Sequence, residues 1–452
     1  MEVVAEDIQV AKYDAYKDSG EDWMAEIPEH WEVKPGFTII EERNEKNVGL
    51  IENTVLSLSY GNVIVKPEEK LTGLVPESFE TYQLVYPGDI IIRPTDLQND
   101  KNSLRTGLAK NKGIITSAYI NLKVKHGYSH AYFHYFLHTI DITKVIYGLG
   151  TGLRQNLGFN EFKRFSFLLP PKEEQTAIAQ FLDRKTAQID KAIGIKEKQI
   201  ELLKERRKIL IHNAVTRGLN PEAPMKDSGV EWIGEIPAHW EVKKLKYLLN
   251  GKLKYGANES GVEYDPRLPR YVRITDFSQD GKLSEESKLS LTWRQGEGYL
   301  LKDGDILFAR SGATVGKTYQ FRKSMSVEKD YCYAGYLIKA EANEALILSD
   351  YLYLYTNSSL FYKWKDGIFI KATIENIGAD KYSQLSVVVP PVDEQSHVLK
   401  VYNTNNQKFL KAISIKEQEI DKLKEYKASL INSAVTGKIK VGYYGRDSTS
   451  NS

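Results

Sequence analysis

The chain repeats itself, and that constrains its fold more than any other feature. KDSGEDWMAEIPEHWEVK at 17–34 returns as KDSGVEWIGEIPAHWEVK at 226–243, an offset of 209. PPKEEQTAIAQFLDRKTAQIDKAIGIKEKQIELLKERRKILIHNAVT at 170–216 returns as PPVDEQSHVLKVYNTNNQKFLKAISIKEQEIDKLKEYKASLINSAVT at 390–436, an offset of 220. Between these anchors PGDIII (87–92) answers DGDILF (303–308) at an offset of 216. Two copies of one unit therefore fill the 452 residues, and the middle of the second has gained 11 residues net. Units this long are a tandem duplication and not the short repeats of a solenoid.

Each copy has two parts. The first is rich in Gly, Tyr and short β-type runs such as TVLSLSY, DIIIRP, YVRITDF, DILFAR and SVVVPP. Those runs sit between Gly, Pro and Asp turn signals, which reads as a mixed α+β or mostly β globule. The second part is one long helix, because Lys172 to Arg217 contains no Pro and a single Gly, with Pro170–Pro171 stopping the strand before it. With Ile193 at an a position, the a series reads Ala179, Thr186, Ile193, Ile200, Arg207, Ala214 and the d series Leu182, Ile189, Lys196, Leu203, Leu210. The same register in the second copy gives Leu399, Asn406, Ile413, Ile420, Lys427, Ala434 and Tyr402, Phe409, Lys416, Leu423, Leu430. Apolar seams of this kind want a partner helix, and the other copy supplies one.

The linker GLNPEAPM after the first helix is short, and the ends of a compact domain usually lie close together. The second helix is therefore expected to start near the end of the first and run back antiparallel over roughly 65–70 Å. The expected fold is α+β: two pseudo-two-fold-related globules separated by an antiparallel coiled coil. The boundaries are 1–170 for the first globule, 171–217 for the first helix, 218–389 for the second globule with a linker at 218–225, 390–437 for the second helix, and 438–452 for a tail.

The single Cys332 excludes an intramolecular disulfide and any Cys-based zinc site. The opening MEVVAEDIQVAKYDAYKD is acidic with no apolar core, and no run reaches the ~18 apolar residues of a membrane span, so a cytoplasmic protein is expected. A net charge of +2 conceals an uneven distribution. Residues 1–85 hold 7 Lys/Arg against 18 Asp/Glu, and residues 86–170 hold 11 against 5. Such a shift either places positive potential on one face, as a nucleic-acid binder needs, or is an ordinary solvated surface.

Paired globules at a fixed separation suit a ligand with its own dyad, of which duplex DNA is one and a protein assembly another. SGATVGKT at 311–318 is not a phosphate-binding loop, since Gly312 and Gly316 enclose three residues where four are needed. It reads as a β-turn loop beside Arg310 and Lys317. His126, His130, His134 and His138 recur every four residues, yet no carboxylate lies within the stripe and the second copy has no His there. A helix side packed among Tyr and Phe accounts for them better than a metal site does. No G-x-S-x-G, H-E-x-x-H or zinc-deaminase signature is present. Leu169 and Val389 precede the Pro–Pro pairs where an amino-methyltransferase motif would put Asn, Asp or Ser, and no Gly-rich loop suits S-adenosylmethionine. Glu173–Glu174 and Asp393–Glu394 open the helices, where the helix dipole explains them.

Taken together and in order, these residues resemble the specificity subunit of type I restriction–modification systems, over nearly the whole chain from Tyr13 to Lys438. The resemblance is carried by the W-x-x-x-I-P-x-H-W-x-V opening (Trp23 to Val33, Trp232 to Val242) and by the P-P-x-x-E-Q helix start (Pro170–Gln175, Pro390–Gln395). The I-K-E heptad helices ending in AVT and the G-D-I-L-x-A-R-x-G-x-x-x-G-K stretch at 304–317 complete it. It implies that each globule is a target recognition domain reading half of a split, asymmetric double-stranded DNA site. The helices would fix the gap and dock two methyltransferase subunits, joined by motor-nuclease subunits in a full complex. The chain itself would carry no catalytic residue, metal or cofactor; S-adenosylmethionine, ATP and Mg²⁺ would belong to the partners. A self-contained DNA-modifying enzyme and a coiled-coil scaffold without a DNA role are the alternatives.

Base readout needs Arg, Lys, Asn or Gln on groove-facing loops, and phosphate contacts need Lys, Arg, Ser or Thr. The candidates in copy one are Arg93, Lys101, Arg105, Lys110, Arg154, Gln155 and Asn156. In copy two they are Arg273, Arg310, Ser311, Lys317, Lys371 and Thr373. In copy one RPTDLQNDKNSLRTG (93–107) stands where the R-x-G-x-x-x-G-K loop is expected.

Overall fold

The computed structural model describes residues 11–67, 69, 78–95, 97, 104–149, 156–278, 281–312, 314–369 and 376–442. It falls into two compact units, one of Met1–Glu197 with Glu417–Ser452 and one of Lys198–Lys416. Each unit thus takes one globule and a length of each long helix, so packing divides the chain within the helices and not at their ends. Apolar burial is the reason. Ile178, Leu182 and Ile189 from the start of the first long helix (Lys172–Thr216) share a core with Leu430, Ile431, Ala434 and Val435 from the end of the second (Val392–Val435). In the other unit Ile211, Ala214 and Val215 share a core with Val398.

The five β-type runs all lie in or across strands: Leu56–Ser59, Ile90–Ile92, Arg270–Val272, Ile306–Ala309 and Ser386–Val389. The first unit has a four-stranded antiparallel sheet in the order Ile40–Glu42, Ile120–Val124, Ile90–Ile92, Thr106–Leu108. The second repeats that order with Lys254–Tyr255, Leu337–Ala340, Ile306–Ala309 and Thr318–Gln320. Its longer middle folds into a further four-stranded sheet, Val262–Glu263, Leu289–Ser290, Arg270–Val272 and Tyr331–Tyr333, where the first unit has the two-stranded pairs Gln83–Val85 with Gly113–Ile115 and Leu56–Ser59 with Asn62–Val65. The repeated Gly-Asp ahead of each central strand closes the turn that leads into it. Asp89 accepts the Tyr86 amide at 2.9 Å and pairs with Arg43, while Asp305 accepts the Lys302 amide at 2.8 Å and pairs with Lys339.

The motifs flanking the globules join sheet to helix in the same way in both units. Trp31 and Trp240 are fully buried, and their indole N–H groups donate to Glu174 and Glu394 at 3.0 and 2.9 Å. His30 and His239 reach the same carboxylates at 2.6 and 2.8 Å. Gln175 and Gln395 donate to the carbonyls of Pro170 and Pro390, and accept the backbone amides of Ser129 and Leu348. Beside each Trp lies a left-handed glycine, Gly437 (φ +72°) at Trp31 and Gly218 (φ +64°) at Trp240. A side chain there would overlap the ring, because a Cβ on Gly218 comes within 2.7 Å of it. Each Trp therefore sits where one long helix begins and the other has just ended.

Along the helices the apolar seam residues Leu182, Ile189, Ile193, Ile200, Leu203, Leu210, Phe409, Ile413, Ile420, Leu423 and Leu430 are buried or half-buried. Within each unit the two helices run antiparallel. Lys196 meets Glu419 and Lys427 meets Asp190, both at 2.7 Å, in the first unit; Arg207 donates to Asn406 at 2.6 Å in the second.

Candidate nucleic-acid interface

The two central hairpins present the candidate loops. In the second unit Phe308 pairs with Thr318, Ala309 donates to the Lys317 carbonyl at 2.9 Å, and the loop between them turns through Gly312 and Gly316, both at φ +81°. Val315 and Lys317 donate back to Gly312 and Thr314, so SGATVGKT is a β-turn loop. Its base is fastened from the far side. Ile377 donates to the Arg310 carbonyl at 2.8 Å, Ser311 bridges Asn376, and the Tyr382 hydroxyl donates to Ala309.

The first unit builds the same frame with other side chains. Arg93 donates to the Arg105 carbonyl at 2.9 Å, as Ala309 does to Lys317, and Leu157 donates to Pro94 at 2.9 Å, as Ile377 does to Arg310. Arg105 therefore stands where Lys317 does, and Pro94 where Arg310 does. The link between the paired ends is four residues longer in the first unit, with 7 intervening residues between Ala309 and Lys317 and 11 between Arg93 and Arg105.

Three candidates have their cations committed inside the fold. Arg105 is fully buried; its guanidinium donates to the Thr95 carbonyl at 2.6 Å and lies against Tyr147, and its amide donates to Asp141. No surface is left with which it could read a groove, and its role is to brace the hairpin loop from below. The Lys317 ammonium donates to the Phe277 carbonyl. The Arg273 guanidinium holds Asp276 at 2.9 Å and the Ser287 carbonyl at 2.7 Å. Among the rest, Lys110 and Asn156 are exposed, and Arg93, Arg310 and Ser311 are half-buried. Lys101, Arg154, Gln155, Lys371 and Thr373 lie outside the described residues.

Arg310 differs from the other three. Its guanidinium lies over the Tyr255 ring at 5.0 Å, its Nε is enclosed without a hydrogen-bond partner, and no carboxylate pairs with it among the described residues. Tyr255 is 43% exposed, and Tyr336, whose carbonyl accepts the Arg310 amide, is 63% exposed. Neither Tyr was a candidate from sequence; the basic–aromatic run KLKY, at 244–247 and again at 252–255, marks Tyr247 and Tyr255 alike.

The histidine stripe is split by the fold: His126 and His130 are exposed, whereas His134 and His138 are half-buried. His130 opens the helix His130–Ile142 and His126 precedes it. The rings of His134 and His138 stack at 6.1 Å. Burial, with His138 and Lys110 adding to it, pushes His134 down to about 3, and burial with Lys427 takes His138 to about 4. Among the described residues no group of three or more His, Cys, Asp or Glu side chains is placed to hold a metal ion, and no helix is long and apolar enough to cross a membrane.

Residues 43–205 match the family model for the type I restriction modification DNA specificity domain. The chain is 25% identical over 376 residues to the type I restriction enzyme MjaVIII specificity subunit of Methanocaldococcus jannaschii, covering 78% of this chain and 81% of that protein. It is 22% identical over 453 residues to the putative MjaX specificity subunit of the same organism, covering 92% and 96%. A solved structure from a study of type I R-M complex assembly and conformational transition shares the fold, with a TM-score of 0.66 at 13% identity over 90% of this chain and 98% of that one. The chain is thus similar in sequence to specificity subunits of type I restriction–modification systems, and residues 43–205 match the DNA specificity domain of that family.

Proposed function

We propose that each unit reads one half of a bipartite, asymmetric double-stranded DNA site, and that the long helices fix the unread gap and dock two methyltransferase subunits. S-adenosylmethionine then sits on those partners, as do ATP and Mg²⁺ where motor-nuclease subunits join. One observation carries the reading. Both units offer the same hairpin on the same strand order, yet equivalent positions hold Arg310 in one and Pro94 in the other. A shared scaffold with different side chains where the strand enters its loop is what two unlike half-sites require, since phosphate contacts position a protein and side-chain chemistry in the grooves discriminates bases.

The test is co-expression with the methyltransferase subunits of the same system, followed by single-molecule sequencing of host DNA for N6-methyladenine. Two short, unlike half-sites at a constant gap are expected. A continuous motif would remove the bipartite reading, and methylation absent from a soluble complex would favour a protein scaffold.

A further inference from the structure

We infer that Arg310, set on the ring of Tyr255, reads a guanine in the half-site of the Lys198–Lys416 unit, and that Tyr255 positions it. The inference rests on the proposed DNA-recognition role and assigns one base contact within it.

Several other guanidinium groups of the globules have a carboxylate partner. Arg43 pairs with Asp89 at 2.9 Å, Arg270 with Glu328 at 3.4 Å, and Arg273 with Asp276 at 2.9 Å. Arg310 has only an aromatic face beneath it, and its Nε is already withdrawn from water with nothing to donate to. A half-buried cation without an acceptor is costly, and a ligand that supplies acceptors relieves the cost. A guanidinium presents its remaining N–H groups as a planar fork. On the floor of the major groove the acceptor pair that matches such a fork is O6 and N7 of guanine.

The mounting is rigid as well. The Arg310 amide donates to the Tyr336 carbonyl at 3.1 Å, its own carbonyl accepts from Ile377 at 2.8 Å, and Ser311 next to it bridges Asn376. Tyr255 is pinned in turn, its hydroxyl accepting from the Ala379 amide at 2.9 Å. Two separate segments, at Tyr336 and at 376–379, therefore fix the base of the side chain and the ring beneath it. Pre-organisation of this kind sharpens a directional contact, whereas a phosphate contact gains little from it. Pro94, in the equivalent place of the other unit, has no donor, so the contact is confined to one half-site.

The test uses the full chain co-purified with its methyltransferase subunits and a pool of random duplexes, from which bound sequences are selected and read. Arg310→Gln should lose preference for G·C at one position of one half-site by about 10-fold or more, with the other half-site and the gap unchanged. Arg310→Lys keeps the charge and loses the fork, so it should lose the same preference. Tyr255→Leu should weaken that preference, and Tyr255→Phe, which keeps the ring, should restore it. Melting curves of each variant establish that it is folded, and Arg310→Lys carries the comparison if Arg310→Gln is not. An unaltered motif in both Arg310 variants overturns the inference, as does an equal loss of affinity for every duplex, which would make Arg310 a phosphate contact. A wild type that selects no sequence overturns the recognition reading itself, and the guanine contact with it.

Discussion

Arg105 and Lys317 hold one position in two copies, and both turn inward to a backbone carbonyl. From sequence each looked like a loop cation free to meet DNA, because the chain alone does not show which side of a hairpin faces the core. Replacing Arg105 by Met leaves the Thr95 carbonyl short of a donor in a dry environment and strips the cation from the Tyr147 ring, while the main-chain amide still donates to Asp141. Unfolding in denaturant should show a loss of about 2–3 kcal/mol, with the selected DNA motif unchanged. A normal stability with an altered motif would return Arg105 to the interface. Gly437→Ala is a second residue-scale test. Its φ of +72° disfavours any side chain, and a Cβ there would lie 2.4 Å from Pro28. A loss of at least about 1–2 kcal/mol is expected, and an unchanged melting temperature would mean that the Trp31 junction is slack.

At the scale of elements, most of the structure was legible because periodicity reports burial directly. Heptads marked the long helices, short apolar runs between turn residues marked the strands, and Tyr and Phe around the histidines marked a packed helix. The Gln and Glu of P-P-x-x-E-Q were legible only as a motif. Their partners, Ser129 and Trp31 in the first copy, are brought to them by folding and share no local pattern with them. The histidine helix carries a prediction of its own. His134 and His138 lie well below the ordinary histidine value of 6.5 in the folded chain. The unfolded chain therefore binds protons that the folded one refuses once the pH drops below about 6.5. Stability should be level above that pH and fall as pH is lowered toward about 4, by up to about 1.4 kcal/mol per pH unit for each ring. Melting curves of wild type and His134→Phe between these limits would check it, the variant showing the shallower slope. Equal slopes would mean that the ring takes up a proton while the chain stays folded.

For the whole molecule, the duplication was legible because the residues that seat helix on globule are the ones that repeat: Trp31 and Trp240, Glu174 and Glu394, Gly218 and Gly437. The divergent middles were not. The four-stranded form of the second unit's further sheet and the division of the chain within its helices follow from packing that no repeat records. The helices offer the test that belongs to this scale. They are 45 and 44 residues long, and oppositely charged or polar pairs such as Lys196–Glu419 and Arg207–Asn406 hold them in antiparallel register. Seven residues removed from one helix alone slide these pairs past one another, so that variant should not assemble. Seven removed from both preserve the a and d phase and shorten the pair by about 10 Å, or roughly 3 base pairs of duplex. If the helices set the gap, N6-methyladenine mapping of the double deletion should give the same two half-sites brought closer by about that amount. An assembled, active complex whose gap has not changed would show that something other than helix length measures the distance.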